Sequence, residues 1–302
     1  MNLRKMWLNI NGVDRVFTCD PEVDTLSDIL RRIGLTGTKV GCGTGVCGSC
    51  SVILNGELVR SCTRKVRAIK EYSTVITIEG IGTPQNPHPI QIAWMNCGAV
   101  QCGFCTPGFI VSTYALLMSN PNPTRQEARE WFTKHRNVCR CTGYKQIIDA
   151  VMAAAKVMRG EAAIEDISVK VPKDGEYYGK PLVRPTALAK VCGLYDYGDD
   201  QEMSFPENTL FGAVVQPRVA HHARILAIHT EEAEKMPGVY KVVTAQALKA
   251  AGGTNVLAEG QFHERSTVLE SSRRGLCDEK LFRYGDGGAV GGADTPARAT
   301  AA

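Results

Sequence analysis

Apolar and polar positions change their period along the chain, and the changes outline its elements. Apolar Trp7, Leu8 and Ile10 precede Asn11-Gly12, and Val13, Val16 and Phe17 follow. An Asn-Gly pair between apolar runs predicts a two-residue hairpin, because a type I′ turn needs positive φ at both central residues. Leu26, Ile29, Leu30 and Ile33 recur at helical spacing and predict a helix over 24–33. A second hairpin is expected where residues 51–54 and 57–60 flank Asn55-Gly56, and residues 74–78 read as a further strand. One helix on a small mixed sheet fits this order. From about Pro87 the period becomes helical: a short apolar segment over 90–95, then residues 107–118, with Thr106 as N-cap and Pro107 at the first helical position. Thr124 and Glu127 form a capping-box pattern that opens a helix to about Lys134, and residues 144–158 give a further helix. Four helices, the short one included, suggest a small bundle.

Residues 161–184 read as a linker, charged and punctuated by Pro172, Gly175, Gly179 and Pro181. An α/β segment follows, with strands expected over 210–215, 223–228 and 239–243, a helix over 230–235 and a turn at Pro237-Gly238. The tail after Tyr284 is rich in glycine and alanine and is expected to be poorly ordered. The fold class read from this order is α+β, divided as 1–80, 81–160, a linker over 161–184, and 185–302.

Composition excludes several functions. The chain has 302 residues, 44% of them hydrophobic and 22% charged, which suits a folded core rather than disorder. No apolar run approaches the ~18 residues of a spanning helix, and no apolar stretch follows Arg4 and Lys5 as a secretory signal would require. A net charge of +4 without a Lys/Arg run argues against nucleic acid. The reading is a cytoplasmic protein that neither spans a membrane nor binds nucleic acid. Twelve cysteines then become the informative feature, nine of them between Cys42 and Cys141. In a reducing compartment such clusters favour metal over disulfides.

Cys42, Cys47 and Cys50 give C-x4-C-x2-C, and Cys62 follows after eleven residues. This is the plant-type [2Fe-2S] spacing. Three thiolates converging from one loop require positive φ and close backbone approach, which Gly43, Gly45 and Gly48 permit. With Asn55-Gly56 as the turn, Cys50 falls opposite Ser61; Cys62 then reaches the same site only if the strand ends or bulges there. A structural zinc site usually uses two C-x2-4-C knuckles and fits this glycine-rich loop less well. Cys102 and Cys105 form C-x2-C, and Cys139 and Cys141 form C-x-C, each pair just before an expected helix. Helix N-termini favour thiolates and an anionic centre. Spacing alone leaves zinc and iron–sulfur both open for this second group.

The run Gln101-Cys102-Gly103-Phe104-Cys105-Thr106-Pro107-Gly108, with Cys139-Arg140-Cys141-Thr142-Gly143-Tyr144, resembles the second iron–sulfur domain of the molybdenum hydroxylases, the xanthine oxidase and aldehyde oxidoreductase family. The first cysteine group is similar to the same family's β-grasp, ferredoxin-like N-terminal domain. The resemblance covers residues 1 to about 160. It implies a [2Fe-2S] cluster at each group, a molybdopterin cofactor against the second cluster contacted by Gln101 and Cys141, and electron flow from molybdenum through the second cluster to the first. Residues 184–193, 195–197, 210–215, 236–239 and 276–280 look like the opening of the family's molybdenum-binding part, its a/b hammerhead-like domain. The short linker leaves no room for a flavin domain, so the chain is closer to the flavin-free aldehyde oxidoreductases. The resemblance then implies no FAD, a ferredoxin or flavodoxin-like acceptor, and a homodimer.

The sequence departs from the family in stopping before the expected catalytic residues, so none is named. A separate molybdenum-binding polypeptide, or a C-terminal part lost by truncation, is expected to supply them. Gly287 to Gly292 also stands where the family has a continuous apolar strand. The competing readings are a non-catalytic electron-transfer subunit of a multi-chain hydroxylase acting on aldehydes or N-heterocycles, and a zinc-stabilised interaction module. Cys19, Cys97, Cys192 and Cys277 read as structural thiols. His221 and His222, adjacent on a strand, face opposite sides and do not suit one metal.

Overall fold

A computed structural model describes residues 3–169, 175, 177–180, 182–217, 221–256 and 274–302. Pro172 and Pro181 of the expected linker lie outside the described residues. Chain contacts divide the protein into two units, Met1–Gln201 and Glu202–Ala302.

The first unit opens with the hairpin β1 (Arg4–Ile10) and β2 (Val13–Cys19), paired Ile10 to Val13 across Asn11 and Gly12. Both turn residues have positive φ, 54° and 80°. Helix α1 (Leu26–Arg32) starts at Thr25, whose hydroxyl and the Asp28 carboxylate form a reciprocal capping box. Strands β3 (Ser51–Leu54) and β4 (Glu57–Arg60) form the second hairpin, and β5 (Ser73–Ile76) completes a five-stranded sheet in the order β2-β1-β5-β3-β4. Only β1 and β5 pair in parallel. Alternation puts Met6, Leu8 and Ile10 on one face of β1, where they meet Leu26, Ile29 and Leu30 of α1 and Val52 and Val75. Each such fully buried side chain contributes about 1.5–3 kcal/mol, so the sheet-and-helix core is what fixes the loop between α1 and β3. β5 is shorter than expected. The Asn11 side chain accepts the Thr77 N–H and the chain turns into a 3-10 turn, Ile78–Gly80, that buries Ile78.

The bundle follows: α2 (Pro89–Asn96), α3 (Thr106–Ser119), α4 (Arg125–Lys134) and α5 (Lys145–Met158). Its core holds Trp94, Phe109, Ile110, Phe132, Ile147 and Val151, with Phe109 and Phe132 edge to face at 4.9 Å. Thr124 and Glu127 make the expected capping box. At α3 the cap is Cys105 rather than Thr106. Thr106 is already helical and buried, because its N–H closes a turn onto the Gly103 carbonyl. The unit ends with α6 (Ala187–Val191) and the start of a 3-10 stretch, Gly198–Ser204. Gln91 of α2 donates to the Val191 carbonyl at 3.0 Å. The contacts therefore divide later than the expected start of the third region at 185.

In the second unit β6 (Phe211–Val215), β10 (Ala289–Ala293) and β8 (Val239–Thr244) form an antiparallel sheet with β10 central. β7 (Ala223–Arg224) pairs with β9 (Lys280–Leu281), and α7 (Ala245–Ala250) and α8 (Pro296–Ala301) complete the unit. Three expectations fail here. The helix over 230–235 shrinks to a 3-10 turn, Ala233–Lys235, and the strand over 223–228 to two residues. The tail after Tyr284 is ordered as β10 and α8. Its small residues suit a central strand covered by a helix, since a Cβ at Gly291 would already lie 3.3 Å from the Ala299 carbonyl. Among the described residues no helix is long and apolar enough to cross a membrane.

Candidate iron–sulfur centres

Cys42, Cys47 and Cys50 lie on the loop that leads into β3. Cys62 sits after β4, where the strand ends at Arg60 and a 3-10 turn, Ser61–Thr63, takes over. Ser61 pins that turn to Cys50: its N–H and hydroxyl both donate to the Cys50 carbonyl, at 3.2 and 2.8 Å. The break that the hairpin register demanded is therefore built from a turn rather than a bulge. Gly43, Gly45 and Gly48 all have positive φ, and a Cβ at Gly48 would lie 2.8 Å from the Asn137 side chain and 2.9 Å from the Arg136 carbonyl. The loop turns its N–H groups inward: Thr44 and Val46 donate to Cys42 Sγ at 3.4 and 3.3 Å. Burial raises the Cys42 thiol, but hydrogen bonds from Thr44 and from the Cys47 and Val46 N–H groups outweigh it and hold the thiol at about 6. Burial, then the neighbouring Cys50 thiol, pushes Cys62 up to about 12.

The second group repeats this chemistry at two helix starts. Cys102 and Cys105 precede α3, and Cys139 and Cys141 precede α5. Cys139 Sγ accepts from the Cys141 and Thr142 N–H groups at 3.4 and 3.5 Å and from the Thr142 hydroxyl at 3.3 Å. A hydrogen bond from Cys105, with those from Thr142 and Cys141, overcomes burial and holds Cys139 at about 5. Cys105 is pushed far up by Cys139 and by burial, and Cys141 is raised by Cys102. In both groups one thiol is prepared as a thiolate, while Cys62 in the first group and Cys105 and Cys141 in the second are pushed up beside their neighbours. A cationic centre shared by the four sulfurs removes that like-charge penalty, so the donor chemistry fits an anionic four-thiolate cluster. Among the described residues no three His, Cys, Asp or Glu side chains converge as ligands of a single metal ion.

The groups are joined. Val138 N–H donates to the Cys47 carbonyl at 3.0 Å, one residue before Cys139. Asn137 is buried between them; its side chain donates to the Gly48 and Gly108 carbonyls and accepts from the Ser112 hydroxyl at 2.9 Å. Exposure differs within the second group: Cys102 and Cys141 are exposed, whereas Cys139 is buried. The Gln101 side chain is exposed beside Cys102.

The remaining candidates sit elsewhere. Cys19 ends β2, and Cys97 and Cys192 cap the C-termini of α2 and α6. Cys277 is buried in the second unit. His221 packs against Tyr284 and His222 against Phe282. Sequence reasoning missed Asn137, and it missed a group closing over the second cysteine loop: Lys39, Lys190, Tyr195, Tyr197 and Asp200. Lys190, Tyr195 and Tyr197 lie in runs read only as the opening of the molybdenum-binding part, and Lys39 and Asp200 are 161 positions apart, so no local signal could have found the group.

Three family models cover most of the chain: a 2Fe-2S iron-sulfur cluster binding domain over residues 8–73, a [2Fe-2S] binding domain over 77–152, and the aldehyde oxidase and xanthine dehydrogenase a/b hammerhead domain over 192–302. Fold and site thus define an iron–sulfur protein with two [2Fe-2S]-binding domains in tandem. Aldehyde oxidoreductase of Megalodesulfovibrio gigas is 47% identical over 296 residues, which is 98% of this chain and 32% of that protein. The nicotinate dehydrogenase small FeS subunit of Eubacterium barkeri is 43% identical over 157 residues, 52% of this chain and 98% of the subunit. The crystal structure of aldehyde oxidoreductase from Desulfovibrio desulfuricans matches with a TM-score of 0.87 at 48% identity, over 98% of this chain and 32% of that one. The chain belongs to the molybdenum hydroxylase (xanthine oxidase) family. It spans about a third of the length of the aldehyde oxidoreductases it matches.

Proposed function

We propose that this chain carries the electron-transfer part of a molybdenum-dependent aldehyde oxidoreductase, with one [2Fe-2S] cluster on Cys42, Cys47, Cys50 and Cys62 and a second on Cys102, Cys105, Cys139 and Cys141. The observation that carries the reading is the pair of prepared thiolates, Cys42 and Cys139, each ringed by N–H donors inside a [2Fe-2S] domain match. The chemistry these clusters supply is one-electron relay from a molybdopterin site to an external acceptor such as a ferredoxin or flavodoxin. The chain's residues hold the sulfurs, orient N–H dipoles toward them, and keep the two sites in fixed relation through Val138 and Asn137. Gln101 and Cys141, exposed beside the second group, are the residues proposed to meet the pterin. The remaining molybdenum contacts belong to a partner chain or to further sequence, and no flavin is assigned. A homodimer and a cytoplasmic setting complete the reading.

A second reading, an electron-transfer subunit serving a separate molybdenum chain, is favoured by the 98% coverage of the small FeS subunit. Anaerobic reconstitution with iron and sulfide tests the shared core of both. About four irons per chain and two distinct reduced signals in electron paramagnetic resonance are expected. Cys141→Ser should remove one signal and Cys47→Ser the other. A colourless protein that takes up zinc alone would overturn both readings. Dye reduction by an aldehyde, tried with and without an added molybdenum subunit, separates them.

A further inference from the structure

We infer that Lys190 sets the reduction potential of the second [2Fe-2S] cluster, supplying one fixed positive charge to it; the inference rests on the cluster assignment above. The segment from Lys190 to Asp200 carries or contacts two buried lysines, Lys39 and Lys190. Lys39 is 1% exposed, and its charge is answered: Nζ lies 2.5 Å from the Asp200 carboxylate and donates to the Tyr195 carbonyl at 3.0 Å. Arg31 takes the other Asp200 oxygen at 2.7 Å. Lys190, 8% exposed, has no such answer. Its Nζ donates to the Gln101 carbonyl at 3.2 Å and lies 4.6 Å from the centre of the Tyr195 ring. Among the described residues no carboxylate reaches ion-pairing distance of it, and Asp200 is already shared between Lys39 and Arg31.

A buried ammonium without a counter-charge is strongly disfavoured. The carbonyl and the ring offer partial charge only. What lies next to the Gln101 carbonyl is Cys102, first of the four sulfurs of the second group, and a [2Fe-2S] centre on four thiolates is a net anion whose charge grows on reduction. The lysine is also held there rigidly. Gly103, at φ 88°, leaves its Cα side to the Lys190 stem: a Cβ would meet Lys190 Cδ at 2.5 Å and Tyr197 Oη at 2.8 Å. Tyr197 donates to the Cys102 carbonyl at 2.6 Å and packs edge to face on Phe104. A positive charge fixed beside an anionic centre stabilises the more negative, reduced state and raises its potential. At the first group's loop the Thr44 and Val46 N–H groups donate to Cys42 Sγ, and Arg60 Nε would lie 3.7 Å from a Cβ at Gly45.

The test is a redox titration of the reconstituted chain followed by electron paramagnetic resonance, comparing wild type, Lys190→Gln and Lys190→Arg. Glutamine keeps a donor for the Gln101 carbonyl and removes the charge; arginine keeps the charge. In Lys190→Gln the second cluster should be harder to reduce, its reduced-to-oxidised ratio at fixed ambient potential falling on the order of tenfold, with the first cluster unmoved. Lys190→Arg should titrate like wild type. An unchanged second-cluster potential in Lys190→Gln, or equal movement of both clusters, overturns the inference. If Lys190→Gln loses the second signal, Lys190→Arg decides: retention at the wild-type potential supports the charge requirement, and loss there too assigns the lysine to loop building and overturns it. Absence of both signals in wild type would instead refute the cluster assignment.

Discussion

Replacing Asp200 by alanine gives the sharpest test of how the second cysteine loop is held. The carboxylate has 1% side-chain exposure and serves three donors: Lys39 Nζ at 2.5 Å, Arg31 Nη1 at 2.7 Å and the Tyr197 N–H at 2.9 Å. Its loss strands Lys39, whose side chain is 2% exposed, as a buried cation left with the Tyr195 carbonyl and the Tyr197 ring, 5.0 Å from Nζ, and no counter-charge. Arg31 is less affected, being more exposed and able to reach the Thr36, Thr38 and Asp199 carbonyls. Removing one member of a buried pair costs about 3–5 kcal/mol. For a unit of this size that corresponds to roughly 6–20 °C in Tm. Replacing both members by apolar residues should cost far less, because no charge is left without a partner. The assay is thermal unfolding by circular dichroism of wild type, Asp200→Ala, Lys39→Met and the combined Lys39→Met/Asp200→Leu chain. The double variant should be more stable than Asp200→Ala alone. An Asp200→Ala chain within about 1 kcal/mol of wild type, or a double variant whose loss equals the sum of the singles, would refute the buried-pair account.

The same carboxyl predicts a pH dependence. Burial raises Asp200, but Lys39, the Tyr197 N–H and Arg31 outweigh it and hold it below the ordinary carboxylate range. With the folded value depressed, its stabilisation is full above the unfolded value of about 3.9 and is lost as pH falls through the folded value. The Tm gap between wild type and Asp200→Asn should therefore be constant from about pH 5 to 8 and close in acid; a gap that widens on acidification would contradict it. Gly108 tests the junction of the two cysteine domains. A Cβ there would lie 2.3 Å from the Gly48 carbonyl and 2.8 Å from that of Ser49, both backbone atoms. Gly108→Ala should cost about 1–3 kcal/mol or more in urea unfolding, and a change below about 0.5 kcal/mol would mean that the helix and the loop are not in rigid contact.

What the sequence made legible is what is decided locally. Both Asn-Gly turns are read correctly because the two φ angles they need belong to the turn residues themselves, and the structure puts Asn55 and Gly56 at 50° and 84°. The capping box at Thr124 and the positive-φ glycines of the first loop are likewise set within a few residues. The place of Cys62 beside Cys50 follows from hairpin register, one step beyond local pattern. Where stability comes from partners distant in sequence, reading fails. β10 has no large side chain, yet it is ordered because β6 and β8 flank it and α8 covers it. Thr106 shows a subtler failure, since its identity suits a cap but the Gly103 turn has already started the helix. The ion pair of Lys39 with Asp200 spans 161 positions, and nothing near either residue announces it.

The grip on the second cysteine loop explains why it left so little trace in the motif. Both donors of the closing segment, Lys190 Nζ and Tyr197 Oη, bond to main-chain carbonyls, those of Gln101 and Cys102. A carbonyl is the same whatever side chain its residue carries, so the loop needs only a glycine at 103 to admit the lysine stem. Holding the loop by its backbone leaves the Gln101 side chain and the Cys102 sulfur exposed. Side chains proposed to meet a cofactor are thereby freed from structural duty, and their positions are fixed by bonds they do not themselves make. On this argument the segment from Ala187 to Asp200 is a structural part of the second cysteine site, which is why chain contacts group it with the cysteine domains.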